Sequence, residues 1–533
     1  MSTSQNSSSA QLVADELIRA LQDPALYDHP VEDFSVIETH ISWVILTGHF
    51  AYKIKKPVNL GFADFSTLAK RQYFCTEELR LNRRYAPDLY LDVVAITGSR
   101  TQPRLAGNSE AIEYAVKMRE FSQHNLLSTF AGEQRLESAH IDAMADVITD
   151  SHCMAEHAGT NTVYGSSETV RKWSRENFKH IEAVLPGGYF PDGYAALKQW
   201  CLLPGKAFET LINERQANGF VRECHGDLHL GNMALIDERV TPFDCIEFNA
   251  ELRWIDTMSE LAFVAMDLQA RGYPGFSWRF INRCLHDNED YAGIALLRYY
   301  FVYRALVRAK VEALRVRQAA PADNQPRILY QEACRYLELA ISWSENAHPA
   351  MIFMHGLSGS GKSTLARQIA ESLGAIQIRS DVERKYLFGL DQHEASGSGV
   401  DQNIYTPDAT SQTYQRLAEL ARTITQAGYT VIVDASFLGL AQREQFWLLA
   451  RQCGVPAILI SCDAPESVLR ERIKRRSRHE KDASEATLAV LQHQIETHDV
   501  LTGEERANSL LVSSGEMLTA EQLHTLARRL LAE

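Results

Sequence analysis

Four polar residues, His225, Asp227, Asn232 and Asp244, stand at a spacing that suits phosphoryl transfer. In the run His225-Gly226-Asp227-Leu228-His229-Leu230-Gly231-Asn232 a carboxylate precedes an amide, and Phe243-Asp244 follows a short distance on. In that pattern the first carboxylate orients and deprotonates an attacking hydroxyl, while the amide and the second carboxylate hold Mg²⁺ on the phosphates. Asp227 is therefore the expected base, with Asn232 and Asp244 as metal ligands. A second, unrelated signature lies downstream: Gly356-Leu357-Ser358-Gly359-Ser360-Gly361-Lys362-Ser363 fits the P-loop pattern Gly-x4-Gly-Lys-Ser. Its glycines let backbone N–H groups from Gly356 to Thr364 turn around a phosphate at a helix N-terminus. Lys362 reaches the β- and γ-phosphates, and Ser363 offers a hydroxyl to Mg²⁺. The two signatures need different folds, so they imply two separate nucleotide sites.

Each signature needs partners. Tyr429-Thr430-Val431-Ile432-Val433-Asp434 is an apolar strand ending in a carboxylate, which suits Asp434 to positioning Mg²⁺. Arg379-Ser380-Asp381-Val382-Glu383-Arg384 follows another strand at the same edge, where ligands bind in open α/β sheets. Asp381 can take a proton from an acceptor hydroxyl there, or simply N-cap the helix that follows. Arg470, Arg472, Arg475, Arg476 and Arg478 form a basic helix and loop after the last clear strand. That is the placement of a cationic lid over transferring phosphate, and equally of a solvated basic face.

The elements that must carry these groups are legible in outline. Leu12, Val13, Leu17, Ile18 and Leu21 repeat at helical spacing after a Ser-rich, uncharged start that reads as a floppy tail, not a signal peptide. Short β-rich runs follow at 35–39, 43–47 and 49–55, then helix within 65–85, then strands at 90–96 and 111–118. Mostly helical sequence runs from 140 to 343, and Ser344–Pro349 reads as the linker. Beyond it come strand 351–355, helix 362–373, strand 375–379, a helix from 382, a polar loop 391–411, helix, strand 429–433, helix, strand 457–461, and helices to the end. Strands alternating with helices predict a parallel sheet with helices on both faces. The expectation is two domains: an α+β bilobal domain over 30–345 after a tail and first helix (1–29), and an α/β P-loop domain over 350–533.

Two resemblances follow from these motifs. His-Gly-Asp-x-His-x-x-Asn, with the later Asp, resembles the aminoglycoside phosphotransferase and choline kinase family, the small-molecule branch of the protein-kinase-like fold. It implies a phosphate-binding lysine on the strand Phe50-Ala51-Tyr52-Lys53, with Lys55 on the same strand face as rival. Its acidic partner is Glu78, with Glu77 next, and a hinge at Arg119–Phe121 holds adenine. Thr39-His40-Ile41-Ser42 replaces the family's glycine-rich turn where protein kinases have one. Residues 351–533 look like the small P-loop kinases that act on gluconate, chloramphenicol or polynucleotide ends. That resemblance makes Asp381 the base, Arg384 an acceptor or phosphate contact, and Arg472 and Arg476 part of the lid. Together the halves resemble fused bacterial proteins described by those two domains.

Bulk composition narrows the class. With 533 residues the chain exceeds one core, and 45% hydrophobic with 23% charged residues is ordinary globular composition. The formal charge of −14 argues against broad nucleic-acid or anionic-membrane binding. Nine cysteines without a CxxC pair read as reduced thiols in a cytoplasmic protein. The resulting expectation is an ATP- and Mg²⁺-dependent phosphotransferase with two kinase-type sites and small-molecule hydroxyl acceptors. The alternatives are regulation of one nucleotide site by the other, and 5′-hydroxyl phosphorylation of polynucleotides by the second half.

Overall fold

The computed structural model describes residues 15–531, apart from 62, 108, 161, 186–188, 204, 319–324, 346, 392–393, 395, 398–401, 477–484 and 514–516. It divides into two compact units, Met1–Asn177 with Leu202–Asp267, and Phe178–Cys201 with Leu268–Glu533.

In the first unit, strands β1 (Ser35–Glu38), β2 (Ser42–Leu46), β3 (Phe50–Lys55), β4 (Tyr90–Gly98), β5 (Pro103–Leu105) and β6 (Ala111–Arg119) form one antiparallel sheet in the order β1-β2-β3-β6-β4-β5. Period-two alternation splits β3 between two surroundings. Tyr52 and Ile54 join Trp43, Ile45 and Ile96 in a core capped by Leu17, Ile18 and Leu21. Lys53 and Lys55 face the other way, toward the Leu68–Asn82 helix. Thr67 caps that helix by accepting from the Lys70 amide, and its buried stripe is Arg71, Cys75, Glu78, Leu81 and Asn82. Three strand features went unread in the sequence of this unit. They are the short β5, the pair β7 (Val221–Glu223) with β10 (Trp254–Asp256), and the hairpin β8 (Met233–Ile236) with β9 (Arg239–Pro242). Strands of three or four residues are too short for periodicity to show.

In the second unit, β11 (Met351–His355), β12 (Ile376–Arg379), β13 (Val431–Asp434), β14 (Ala457–Asp463) and β15 (Ser509–Ser513) form a parallel sheet in the order β12-β13-β11-β14-β15. One face carries Ile352 and Met354 against Leu365 and Ile369 of the Lys362–Leu373 helix. The other carries Phe353 against Phe437 at 5.3 Å, with Phe446 4.9 Å from Phe437. The sheet is thus covered on both sides, as parallel pairing requires. The fifth strand, β15, was read as helix. The polar loop ends earlier than expected: Thr406 accepts from the Ala409 amide, and Pro407–Gln426 is helical with Pro at its first turn. The helices Pro274–Asn288, Ile294–Gln318 and Gln325–Ser344, upstream of the 344–349 segment, cluster with this compact unit. No described helix is long and apolar enough to cross a membrane.

Candidate phosphoryl-transfer sites

Four segments distant in sequence meet in the first unit. Lys53 Nζ donates to Glu78 Oε1 at 2.6 Å and to Asp244 Oδ1. Lys55 Nζ donates to Glu78 Oε2 at 2.7 Å and to Glu247 Oε1. The two lysines of β3 therefore differ in position: Lys53 reaches Asp244, and Lys55 braces the same glutamate from behind. Glu77 pairs instead with Arg80 and Arg253. Glu78 is fully buried; burial pushes its carboxyl up, but the two ammonium groups outweigh that and hold it at about 2. Burial likewise works against the charge on Lys53, and Asp244 and Glu78 overcome it, keeping the ammonium well above its ordinary range. Both lysines are charged and rigidly held.

The 225–232 loop hangs from buried supports. Gly226 has φ +87, and a Cβ there would lie 2.7 Å from the Leu252 carbonyl oxygen, so only glycine fits. Its amide donates to Glu260 Oε1 at 2.8 Å, while Glu260 Oε2 meets His152 Nε2 at 2.9 Å. Cys224 lies beside this pair, and its thiol donates to the Ile255 carbonyl at 3.7 Å. With both Glu260 oxygens engaged, the trio braces the loop. His225 Nε2 donates to the Phe243 carbonyl at 2.8 Å, tying the 225–232 loop to the segment that carries Asp244. Burial lowers the His225 pKa and favours its neutral form. Leu230 donates its amide to Asp267, and Asp256 is locked to Arg215 at 2.7 and 2.8 Å; both aspartates are supports.

On this frame, Asn232 Nδ2 donates to Asp227 Oδ2 at 3.0 Å and to the Asp227 carbonyl at 2.9 Å. Asp244 sits at φ +65, its amide accepted by the Tyr90 hydroxyl at 3.0 Å and the next amide by Asn82 Oδ1 at 2.9 Å. The side chains of Asp227 and Asp244 stay 37% and 43% exposed, open to a ligand while their backbones are fixed. Sequence reasoning missed Asn82, Tyr90, Glu247 and Glu260. Asn82 could have been found on the Arg71–Cys75–Glu78 stripe; nothing local marks the others. At the β1–β2 turn, Thr39 Oγ1 accepts from the Ile41 and Ser42 amides, which replaces glycines with a side-chain-capped turn. At the hinge, the Arg119 and Glu120 amides go to the Leu89 and His49 carbonyls.

In the second unit the P-loop joins β11 to the Lys362–Leu373 helix, with Gly361 as N-cap. Gly356 has φ +138, and a Cβ there would be 2.4 Å from the Cys462 carbonyl oxygen. This glycine-lined turn at a helix N-terminus is a cradle that fits a phosphate chain. Lys362 Nζ donates to the Leu357 carbonyl at 2.8 Å, and the Ser358 amide to Gln494 Oε1 at 2.9 Å. Ser363 lies close enough to Asp434 to lower the pKa of its carboxyl, the Mg²⁺-type pair expected of this loop. Asp434 is buried, which raises its carboxyl, with Arg379 opposing at 3.8 Å. Asp381 lies in the first turn of the Ser380–Leu387 helix, whose N-cap is Arg379, so it does not cap that helix. Its charge is felt by both Asp434 and Tyr405, which sets it among the groups at this sheet edge.

The arginines divide. Arg472 Nη1 donates to the Gly359 carbonyl at 3.2 Å, beside the P-loop, whereas Arg470 is taken by Glu466 and Gln492. The Arg476 side chain and Arg478 lie outside the described residues. Arg384 is buried, donating to the Ile404 carbonyl at 2.7 Å with its guanidinium 5.0 Å from the Tyr405 ring centre. It anchors the segment before the 407–426 helix.

Residues 351–501 match the family model described as AAA domain. Over 470 residues the chain is 29% identical to an uncharacterized protein of Mycobacterium tuberculosis, covering 87% of this chain and 91% of that one. A choline/ethanolamine kinase family protein from Mesorhizobium loti aligns over 62% of this chain and 99% of its own, at 11% identity and TM-score 0.36. A gluconokinase from Sinorhizobium meliloti aligns over 35% and 92%, at 25% identity and TM-score 0.24. Residues 351–501 thus carry a P-loop on a parallel sheet, and the first unit holds a six-stranded antiparallel sheet.

Proposed function

We propose that each half transfers the γ-phosphoryl group of ATP to a hydroxyl of a small molecule. The observation carrying this reading is that each unit assembles the same three roles from unrelated parts. A lysine for phosphate is Lys53 or Lys362, a metal-type set is Asn232 with Asp244 or Ser363 with Asp434, and a further carboxylate is Asp227 or Asp381. Bound Mg²⁺·ATP supplies the electrophilic phosphorus. Lys53, clamped by Glu78, fixes the phosphates in the first site, and Asp227 takes the proton from the attacking oxygen. In the second, Lys362 and the P-loop amides fix the phosphates, Asp381 takes the proton, and Arg472 closes over the transferring group. The partners are small hydroxylated molecules and not nucleic acid, in keeping with the −14 charge, and the setting is cytoplasmic.

An ADP-release screen over sugars, nucleosides, amino alcohols and aminoglycosides tests this, run on wild type, Asp227→Asn and Lys362→Ala. Two activities, each removed by one substitution, are expected; no acceptor-stimulated ADP release with any pool would sink the reading. A second reading, in which one nucleotide site governs the other, draws on helix Pro274–Asn288. It lies upstream of the 344–349 segment, yet hydrogen-bonds to β12. First-site turnover that is unchanged in Lys362→Ala removes that reading.

A further inference from the structure

Strand β12 is an edge. It pairs with β13 on one side, and among the described residues no strand lies on its other side in the sheet order. An edge leaves backbone groups that need partners. Here two side chains of the Pro274–Asn288 helix supply them. Asn282 Nδ2 donates to the Ala375 carbonyl at 2.9 Å, and Asn282 Oδ1 accepts from the Gln377 amide at 2.7 Å. His286 Nε2 donates to the Gln377 carbonyl at 2.9 Å. Residues 282 and 286 are one helical turn apart and share a face, so together they stand in for a missing strand. The helix is fixed by further bonds: the Tyr386 hydroxyl donates to the His286 carbonyl at 2.6 Å, and Arg279 pairs with Glu371 at 3.0 Å.

The residue held this way is not neutral to the chemistry. Gln377 is 4% exposed, and its Nε2 donates to Asp434 Oδ2 at 3.0 Å. Asp434 otherwise has Ser363 beside it and Arg379 at 3.8 Å. A primary amide on one carboxylate oxygen sets the rotation of that carboxylate and leaves its remaining lone pairs for a cation. Outer-sphere partners of this kind tune metal affinity without touching the metal.

We infer that Gln377 is a positioning residue for Asp434, and that Asn282 and His286 hold it in register from a helix upstream of the 344–349 segment. The P-loop metal site is thus built in part by residues that precede the P-loop sheet. This rests on Asp434 being a metal ligand, as set out under Proposed function, and the test separates the two ideas.

The probe is Mn²⁺ in the presence of ADP, followed by loss of the free-ion electron paramagnetic resonance signal. The full chain carries Asp244→Asn, so that the first site is silent toward metal. In that background Asp434→Asn is expected to abolish the remaining Mn²⁺ site. Gln377→Leu is expected to weaken it on the order of 10-fold, with metal-free ADP affinity and thermal midpoint unchanged. Asn282→Leu weakens it about threefold, and Gln377→Glu, which sets a like charge against Asp434, weakens it at least as much as Gln377→Leu. Mn²⁺ affinity unaltered in Gln377→Leu while Asp434→Asn abolishes binding overturns the positioning role alone. Unaltered affinity in Asp434→Asn overturns the metal assignment and this inference with it. A Gln377→Leu effect matched by equal losses of metal-free ADP affinity and thermal stability reduces Gln377 to a packing residue.

Discussion

The two candidate sites hold their charges by opposite means. In the first, positive charge is locked in a buried network: Lys53 and Lys55 share Glu78, and each reaches a second carboxylate, Asp244 or Glu247. In the second, the lysine is held by neutral atoms, the Leu357 carbonyl and the Ser360 hydroxyl, at the mouth of a helix. The first site draws its electrostatics from a network of buried ion pairs among separate elements, and the second from backbone geometry in one short loop beside the looser Asp434–Arg379 pair. The lesson is that a lysine can be fixed beside carboxylates by long-range charge matching in one fold and by local chain curvature in the other.

The sharpest way to break this comparison is to remove the proposed chemistry one site at a time. Asp227→Asn is expected to lower first-site turnover about 10³-fold, and Lys362→Ala to lower second-site turnover by a similar factor. Steady-state ADP release with the acceptor of each site measures both. If either substitution abolishes both activities, the sites are not independent.

Next in size is the stability cost of opening the ion network. Glu78→Gln leaves two buried ammonium groups short of a counter-charge, an effect of about 3 kcal/mol. A lowered urea midpoint for the first unit, with the second unit's transition unmoved, is the expected result. Lys55→Met should reproduce most of that loss, whereas Lys53→Met should depress first-site kcat in addition. Equal kinetic effects of the two lysine substitutions would undo the division of labour drawn between them.

A smaller contrast lies in acid response. Burial, aided by the Arg379 charge, lowers the His286 pKa to about 4, so the folded state binds fewer protons than the unfolded one between about 6.5 and 4. Its contribution is therefore complete above pH 6.5 and declines as the pH falls, by about 2 kcal/mol at pH 5. Glu78 behaves differently. Its carboxyl, held at about 2, keeps its contribution down to its ordinary range near 4.5 and loses it as pH falls toward 2. Thermal midpoints against pH for wild type and His286→Gln check this: the variant, which keeps a donor for the Gln377 carbonyl, should show a flatter limb between pH 6.5 and 5. The smallest effect is expected of Arg472→Gln, about a 10-fold loss of second-site kcat with ATP affinity little changed. An unchanged kcat would leave Arg472 as a strut for the P-loop carbonyl it bonds.

Legibility followed the same division. The P-loop, its strand and its helix could be placed residue by residue, because a contiguous Gly-rich loop between an apolar strand and an amphipathic helix encodes its own geometry. The Asp227–Asn232 loop was equally readable, again as one run. Spacing left Glu78 and Glu77 open; in the fold the stripe from Arg71 to Asn82 turns Glu78 inward, while Glu77 pairs with Arg80 and Arg253. Gln377, Glu260 and Glu247 carried no local mark at all. Their roles arise from partners 57, 108 and 192 residues away.

What the sequence alone determined is the inventory: two unrelated phosphate-binding signatures, the residues that form them, and the strand–helix order around them. Those features depend on neighbours within a turn or a strand, where backbone preference and short-range periodicity suffice. The tertiary structure decided which lysine meets which acid, which arginine stands by the P-loop, and where the boundary between compact units falls. Such pairings depend on burial, where an unmatched charge or an unmet edge amide is expensive enough to select one arrangement. That selection acts only once distant segments have been brought together.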